Sequence, residues 1–244
     1  MQHNHSFSTE KNNSGESDFL TELAGEATQK IRAVESEEAT RQTRLTAVHT
    51  ALQQIAKYLT QFSSHLNKIQ PAIPRTYGLD IQLAYDALQW SEGFVDFRKQ
   101  SLSENALLDH VTLRIRLTNT APITLKRRWH QLTNLKKELD LIGLRPVTDL
   151  DTLLRDFPQQ EFFIIVVEPD FQIRMQFQAN YDAGVIDLRC NNFVDFGTNS
   201  FTLEPEAFTS QLLDELGRFL IGRKAELPGM LGKNRPQLPL IPTR

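Results

Sequence analysis

The sequence predicts an α+β fold: a long N-terminal heptad helix, forming a coiled coil or a bundle, followed by an antiparallel sheet with helices packed on it. Three patterns indicate this class. Apolar residues recur at alternating steps of three and four through residues 18–70. Several later segments alternate apolar with polar residues, and amphipathic stretches at 125–142 and 204–222 follow two groups of such segments.

The same patterns divide the chain of 244 residues into four parts. We expect a disordered tail at 1–17, a coiled-coil-like helix at 18–70, an α+β domain at 71–222 and a proline-containing tail at 223–244. The spacing of the last prolines favours an extended conformation for that second tail. It is expected to lie on the surface or be disordered, with docking as a peptide as the alternative.

The heptad helix has the clearest signal in the chain. Ser17 or Asp18 can cap its start, and Pro71 stops it. Thirteen of its fifteen seam positions between Leu20 and Ile69 are apolar, and the register never slips. Because a repeat of 3.5 residues keeps one stripe facing a partner helix, we expect self-association through this helix.

The second half of the helix is the predicted oligomer interface, since its apolar stripe is wider than that of the first half, where Glu38 and Arg41 interrupt the seam. The interface residues are Leu45, Val48, Leu52, Ile55, Leu59, Phe62, Leu66 and Ile69. Two alternatives stay open. The same face can dock on the following domain, or the helix can fold back on itself near residues 38–41.

Strands are predicted where apolar and polar residues alternate, or where a short apolar run is bounded by turns. The segments are Phe94–Arg98, Val111–Thr118, Phe162–Val167 as a central strand, Phe171–Gln178, Val185–Cys190, Phe193–Phe196 and Ser200–Leu203. Asp80–Trp90 fits either a strand or a helix. Ser91–Gly93 is expected to form a hairpin turn.

Helices are predicted at three places in this domain. The first covers residues 125–142 and ends at Gly143, the second covers Asp149–Phe157 with Asp149 as its cap, and the third opens at Glu204-Pro205-Glu206 and ends at Gly222. Strands followed by a helix, repeated once with hairpin-length turns, favour helices packed on an antiparallel sheet.

Charge is unevenly distributed along the chain, although the formal net charge is only −3. Basic side chains exceed acidic ones by six in residues 111–146, and acidic ones exceed basic ones by nine in residues 147–222. The candidate anion-binding residues are Arg114, Arg116, Lys126, Arg127, Arg128, Lys136 and Lys137. Cations beside an exposed Trp129 can grip a phosphate backbone or an acidic protein. The competing interpretation places Trp129 in the core and the cations on an ordinary solvated face.

No motif for catalysis, cofactor binding or metal binding is found in the sequence. We therefore predict no catalytic residues, no cofactor and no metal, and leave enzymatic activity open because distant residues can converge in space. A lone cysteine, Cys190, favours a reducing compartment. The lack of an apolar run of about 18 residues favours no membrane association, so the cytoplasm is the expected location.

The sequence thus predicts a non-enzymatic oligomeric interaction or scaffold protein, assembled by the heptad helix and binding a protein partner through the α+β domain. Two other hypotheses are kept. The first is a nucleic-acid-associated factor that uses the basic helix at 125–142, which is not favoured because no overall basic excess accompanies it. The second is an enzyme or small-ligand binder with a pocket between sheet and helices.

Overall fold

A computed structural model describes residues 18–79, 83–119, 121–157, 160–225 and 227 of the chain. The predicted tail at 1–17, with its Ser17 cap, and nearly all of the tail at 223–244 lie outside these ranges. The chain divides into two compact units with a boundary between Thr43 and Arg44. In the described ranges, no helix combines the length and the apolar character that crossing a membrane requires.

The helix α1 (Asp18–Ile69) confirms the predicted long helix, which ends just before Pro71 as expected. Gln70 adopts a φ of 45°, a left-handed conformation that stops helical propagation. The coiled-coil character of α1 stays a prediction. The further helices of the described residues are α2 (Leu132–Ile142), α3 (Leu150–Asp156) and α4 (Ser210–Leu220).

The strands follow α1 and form a mixed α+β fold with the other helices, as predicted. They are β1 (Ala72–Ile73), β2 (Tyr77–Gly78), β3 (Ala84–Tyr85), β4 (Leu88–Lys99), β5 (Leu108–Thr118), β6 (Ile123–Arg128), β7 (Phe162–Val167), β8 (Asp170–Asn180), β9 (Val185–Asn191) and β10 (Thr198–Leu203). The main sheet has the order β1-β4-β5-β8-β9-β10 and is antiparallel throughout. The segment between β5 and β8 leaves this sheet to form β6, α2, α3 and β7, with β6 and β7 paired in a separate ribbon.

The inner face of the main sheet is apolar and is covered by helices. Alternate residues of β5 and β8, such as Leu113 and Ile173, are fully buried, which confirms the alternation predicted for these strands. The second half of α1 packs on this face, where the ring of Phe62 meets Trp90 of β4 edge-on at a centroid distance of 5.9 Å. The backbone N–H of Leu108 in β5 also donates a hydrogen bond to the His49 ring of α1 at 3.2 Å.

The hairpin turn predicted at Ser91–Gly93 is wrong, because β4 continues through it with a β-bulge between Trp90 and Glu92. Gly93 serves close packing at this position. A Cβ on Gly93 would lie only 2.3 Å from Cζ2 of the Trp90 ring. Glycine is needed at this position because the Trp90 indole ring lies against its backbone. The chain reverses direction only after β4 ends at Lys99.

The helix predicted at 125–142 is wrong in its first part. Residues 123–128 form β6, and α2 begins only at Leu132 after a short 3-10 turn. Leu125 is buried while its neighbour Lys126 is exposed, so a two-residue alternation operates before the helical period starts. Trp129 lies in the 3-10 turn and is 41% exposed, which excludes it from the core.

The prediction of a central strand at Phe162–Val167 is correct for the strand and wrong for its position. Among the described residues, β7 pairs with β6 alone, apart from an isolated bridge between Val167 and Pro146. One face of β7 is buried, whereas Ile164 on the other face is 72% exposed. A continuous apolar run therefore gave a strand with only one covered face.

The strand predicted at Phe193–Phe196 is also wrong, since these residues form a loop between β9 and β10. Asn192 has a φ of 55° and Gly197 a φ of 121°, which bend the chain at both ends of the loop. The carbonyl oxygens of Phe193 and Val194 accept hydrogen bonds from the Arg75 guanidinium instead of from a neighbouring strand.

The residues predicted to begin or end the helices of the α+β domain are confirmed in three of four cases, and one of them is Gly222, which has a φ of 70° two residues after α4. Gly143 has a φ of 76° at the end of α2, and the Asp149 side chain accepts hydrogen bonds from two backbone N–H groups at the start of α3. The segment opened by Glu204 is broken in two. A 3-10 turn at Pro205–Ala207 precedes α4, whose cap is Thr209.

Candidate functional site

The outer face of the main sheet is polar and carries arginines on three adjacent strands. Arg114 and Arg116 belong to β5, Arg174 to β8 and Arg189 to β9, and all four side chains are exposed. We term these four residues the arginine face. Two of them, Arg114 and Arg116, are among the candidate anion-binding residues predicted from the sequence.

The strand register places Arg114 directly opposite Arg174. Like charges in such a pair destabilise a sheet unless they are compensated. A nitrogen of Arg114 lies 3.2 Å from a carboxylate oxygen of Asp96, which compensates one of the two charges. Arg174 instead donates a hydrogen bond to the neutral Gln176 side chain at 3.3 Å.

Arg116 is held by a bidentate ion pair. Its Nε donates to both carboxylate oxygens of Asp170 at 2.9 and 3.0 Å, and its terminal nitrogen also donates to that carboxylate. The hydrogen bonds and the charge of Asp170 raise the pKa of Arg116. Among the residues that the structure describes, no carboxylate oxygen lies within 4.0 Å of the Arg174 or Arg189 guanidinium. Two of the four charges are therefore neutralised locally and two are not.

An aromatic ring and an amide complete one row of this surface. Phe94 of β4 lies opposite Arg114 and is 55% exposed, and Asn191 of β9 lies opposite Arg174. Across β4, β5, β8 and β9, this row therefore presents an aromatic ring, two guanidinium groups and a side-chain amide in that order. A surface pocket of about 250 Å³ lies beside Arg189 between β9 and β10. Its lining residues are Asp187, Leu188, Arg189, Ser200, Phe201 and Thr202.

Three of the other predicted anion-binding residues lie on the separate ribbon. Lys126 Nζ and the Arg128 guanidinium lie 4.6 and 5.2 Å from the centre of the Phe162 ring, so both cations contact an aromatic face. Arg127 points to the other side of β6 and is half-buried. These residues belong to a different sheet from Arg114 and Arg116.

The remaining two predicted residues lie on α2. Lys136 forms a hydrogen-bonded ion pair with Asp151 of α3, and this hydrogen bond raises the pKa of Lys136. Lys137, the next residue, is exposed. The seven predicted cations thus lie on three different elements, and the single basic helix that was predicted to carry five of them does not exist.

Most of the predicted oligomer interface is buried within this chain. Val48, Leu52, Ile55 and Leu59 have no exposed surface and Leu66 is 7% exposed. Leu45 and Phe62 are half-buried, and Ile69 is 67% exposed. The buried side chains follow the alternative in which this face docks on the following domain. These side chains could contact a second chain only if the core opened. Self-association through them therefore stays a prediction, and the residues predicted to mediate it are not accessible on the surface.

The first half of α1 differs in that every described side chain from Phe19 to Thr43 is exposed. Its large apolar side chains are 42–63% exposed. They are Phe19, Leu20, Leu23, Ile31 and Val34. Glu38 and Arg41, one turn apart in this half, form an ion pair with a nitrogen-to-oxygen distance of 3.9 Å.

The chemistry of the buried groups gives no catalytic constellation in the described ranges. Burial raises the pKa of the Cys190 thiol, which makes it a poor nucleophile. No group of three or more His, Cys, Asp or Glu side chains that could hold a metal ion occurs among the described residues.

Comparison with protein-family models, with curated proteins and with solved structures finds no match to this chain. Its candidate site therefore depends on the geometry alone.

Sequence reasoning missed three residues of the outer face, namely Phe94, Arg174 and Arg189. Each occupies an outward position of a strand, and the alternation of Arg174 with buried neighbours was visible in the sequence. The adjacency was not visible, because β5 pairs with β8 across an insertion that contains the whole ribbon and two helices.

Proposed function

We propose that this chain is an interaction protein that self-associates through the first half of α1 and presents its α+β domain to a partner. The observation that supports it is the exposure of Leu20, Ile31 and Val34, three large apolar side chains at seam positions of the heptad register. Soluble proteins seldom leave a contiguous apolar patch uncovered. The proposed occupant is a second copy of the same helix, because a heptad seam is complementary to itself.

The stability of an isolated helix supports the same conclusion. The structure describes every side chain of residues 19–43 as exposed, so burial contributes little to the stability of this part of α1. Helices without packing are marginal in water even at favourable composition. Pairing would bury the stripe of Leu20, Ile31 and Val34 and would thereby stabilise the helix.

The test is a measurement of molar mass by size exclusion with light scattering, from low to high micromolar concentration. The double variant Ile31→Glu/Val34→Glu places charges in the seam, and we expect it to shift the protein from an oligomer to a monomer. Gln29→Glu/Ser36→Glu is the matched control, since it adds the same charge at positions opposite the seam. We expect the control to keep the mass of the natural chain.

Two results would reject the proposal. The natural chain could have the mass of a monomer over the whole concentration range. Alternatively, the seam variant and the control could have the same mass as the natural oligomer, which would place the interface elsewhere.

A further inference from the structure

On the outer face of the main sheet, the guanidinium groups of Arg174 and Arg189 have no carboxylate partner within 4.0 Å among the described residues. Arg174 faces Arg114 across the β5–β8 pair, and Asp96 compensates only Arg114. Arg189 on β9 lies one diagonal step from Arg174, because Arg174 pairs with Asn191 and Arg189 pairs with Gln176. A line of three guanidinium groups therefore crosses three adjacent strands. An anionic group bound along this line would relieve the repulsion between Arg114 and Arg174.

The same surface carries groups that recognise more than charge. The exposed ring of Phe94 stands next to Arg114, and side-chain amides surround Arg174. These amides belong to Gln172, Gln176 and Asn191. Aromatic rings on a sheet stack on unpaired bases, guanidinium groups bind phosphates, and amides pair with base edges. An acidic protein would use the arginines but would have no special need of the ring.

We propose that this outer face binds single-stranded nucleic acid, with Arg174 and Arg189 contacting phosphates and Phe94 stacking on a base. A single strand is the occupant because an exposed ring on a sheet reaches only bases that are already unstacked. This inference is independent of self-association through α1. It uses a different surface from the basic helix that the sequence suggested.

The carboxylates on the same strands limit the affinity for nucleic acid that we expect of this face. Asp96 and Asp170 already occupy Arg114 and Arg116, and Asp187 lies near Arg189 beside the surface pocket. In the described part of the chain, Arg174 and Arg189 are the two arginines of this face without a carboxylate partner, and these two can release counterions. We expect binding that is modest and falls as salt rises.

The experiment is a titration of the full-length protein into a fluorescein-labelled RNA of about twelve nucleotides, a typical length for one binding surface. Fluorescence anisotropy at about 50 and 200 mM salt gives the affinity and its salt dependence. For Arg174→Gln/Arg189→Gln we expect an affinity about tenfold weaker at the lower salt and a salt slope smaller by about 1.4. For Phe94→Ala we expect an affinity about tenfold weaker with an unchanged salt slope.

The matched control is Lys57→Gln/Lys68→Gln, which removes two exposed charges from α1. We expect this variant to bind as the natural chain does. Circular dichroism spectra of all variants verify that they are folded, and the single variants Arg174→Gln and Arg189→Gln replace the double variant if it fails to fold.

Several outcomes would overturn the proposal. One is the absence of binding at about 100 µM protein and low salt, the weak limit of non-specific association. A second is equal weakening by the control, which would indicate general charge attraction. A third is displacement of the RNA by poly-glutamate at the same charge concentration with no effect of Phe94→Ala, which would indicate an acidic protein as partner.

Discussion

The hydrogen bonds of Asn67 give the sharpest test of how α1 is joined to the main sheet. Asn67 Nδ2 donates to the Gly93 carbonyl oxygen at 2.8 Å. Its Oδ1 accepts from the Gly93 backbone N–H at 2.6 Å and from the Trp90 indole N–H at 2.9 Å. One side chain thus satisfies both backbone groups at the bulge of β4 and the polar atom of a large core residue. The perturbation is Asn67→Ala.

The expected cost follows from the burial of these partners. Trp90 is 0% exposed and Gly93 is buried, so the groups that lose Asn67 have little access to replacement water. A buried polar group left unpaired costs about 1–3 kcal/mol, and water can reach part of the site because Asn67 itself is exposed. We expect Asn67→Ala to lower the free energy of unfolding by about 2–4 kcal/mol.

Urea unfolding followed by far-ultraviolet circular dichroism measures this free energy, provided that the slope with denaturant is unchanged. Lys68→Ala is the control at the next, exposed position of α1, with an expected effect within about 0.5 kcal/mol. Asn67→Asp keeps the acceptor and loses the donor, so its effect should be intermediate. A loss below about 0.5 kcal/mol for Asn67→Ala would refute the reasoning.

Two further predictions concern the core. Gly217→Ala would place a Cβ 2.8 Å from the Tyr58 hydroxyl and 3.0 Å from Cε2 of Phe62, so we expect a loss of about 1–3 kcal/mol from overpacking between α4 and α1. Thermal unfolding tests this, and an unchanged midpoint would show that the two rings move aside freely. The buried Tyr77 hydroxyl has no hydrogen-bond partner among the described residues, and burial raises the pKa of Tyr77 to about 12. The folded chain keeps the proton that the unfolded chain loses near pH 10, so stability should fall from about pH 10 to about pH 12. Tyr77→Phe should retain or increase stability at pH 7 and reduce that alkaline loss, and an identical pH profile for both proteins would contradict this.

The elements that the sequence predicted correctly are those whose signal is local. Residues 18–69 form one helix because the apolar spacing and Pro71 define it, and Asp149 caps α3 through its own backbone neighbours. The alternation in β5 and β8 likewise needs only the pleat of a strand. Such patterns are satisfied within a few residues, so no distant contact is needed to recognise them.

The errors arise where a distant residue decides the local structure. The Arg75 guanidinium donates hydrogen bonds to the carbonyl oxygens of Phe193 and Val194, and this apolar segment therefore forms a loop instead of a strand. The ribbon partner β7 turns residues 123–128 into a strand although the spacing of Leu125 and Leu132 fits a helix. In both cases the backbone hydrogen bonds are completed by groups that are far away in sequence, which periodicity does not reveal.

The candidate site divides in the same way. The outward positions of Arg114 and Arg116 follow from alternation alone, whereas their neighbours Arg174 and Phe94 depend on the order of strands. By itself the sequence determined the α+β class, the length of α1 and the presence of an apolar stripe along it. Only the tertiary structure decided that the second half of this stripe is buried by its own chain while the first half is exposed. The physical reason is that a hydrophobic face specifies burial without specifying the surface that buries it.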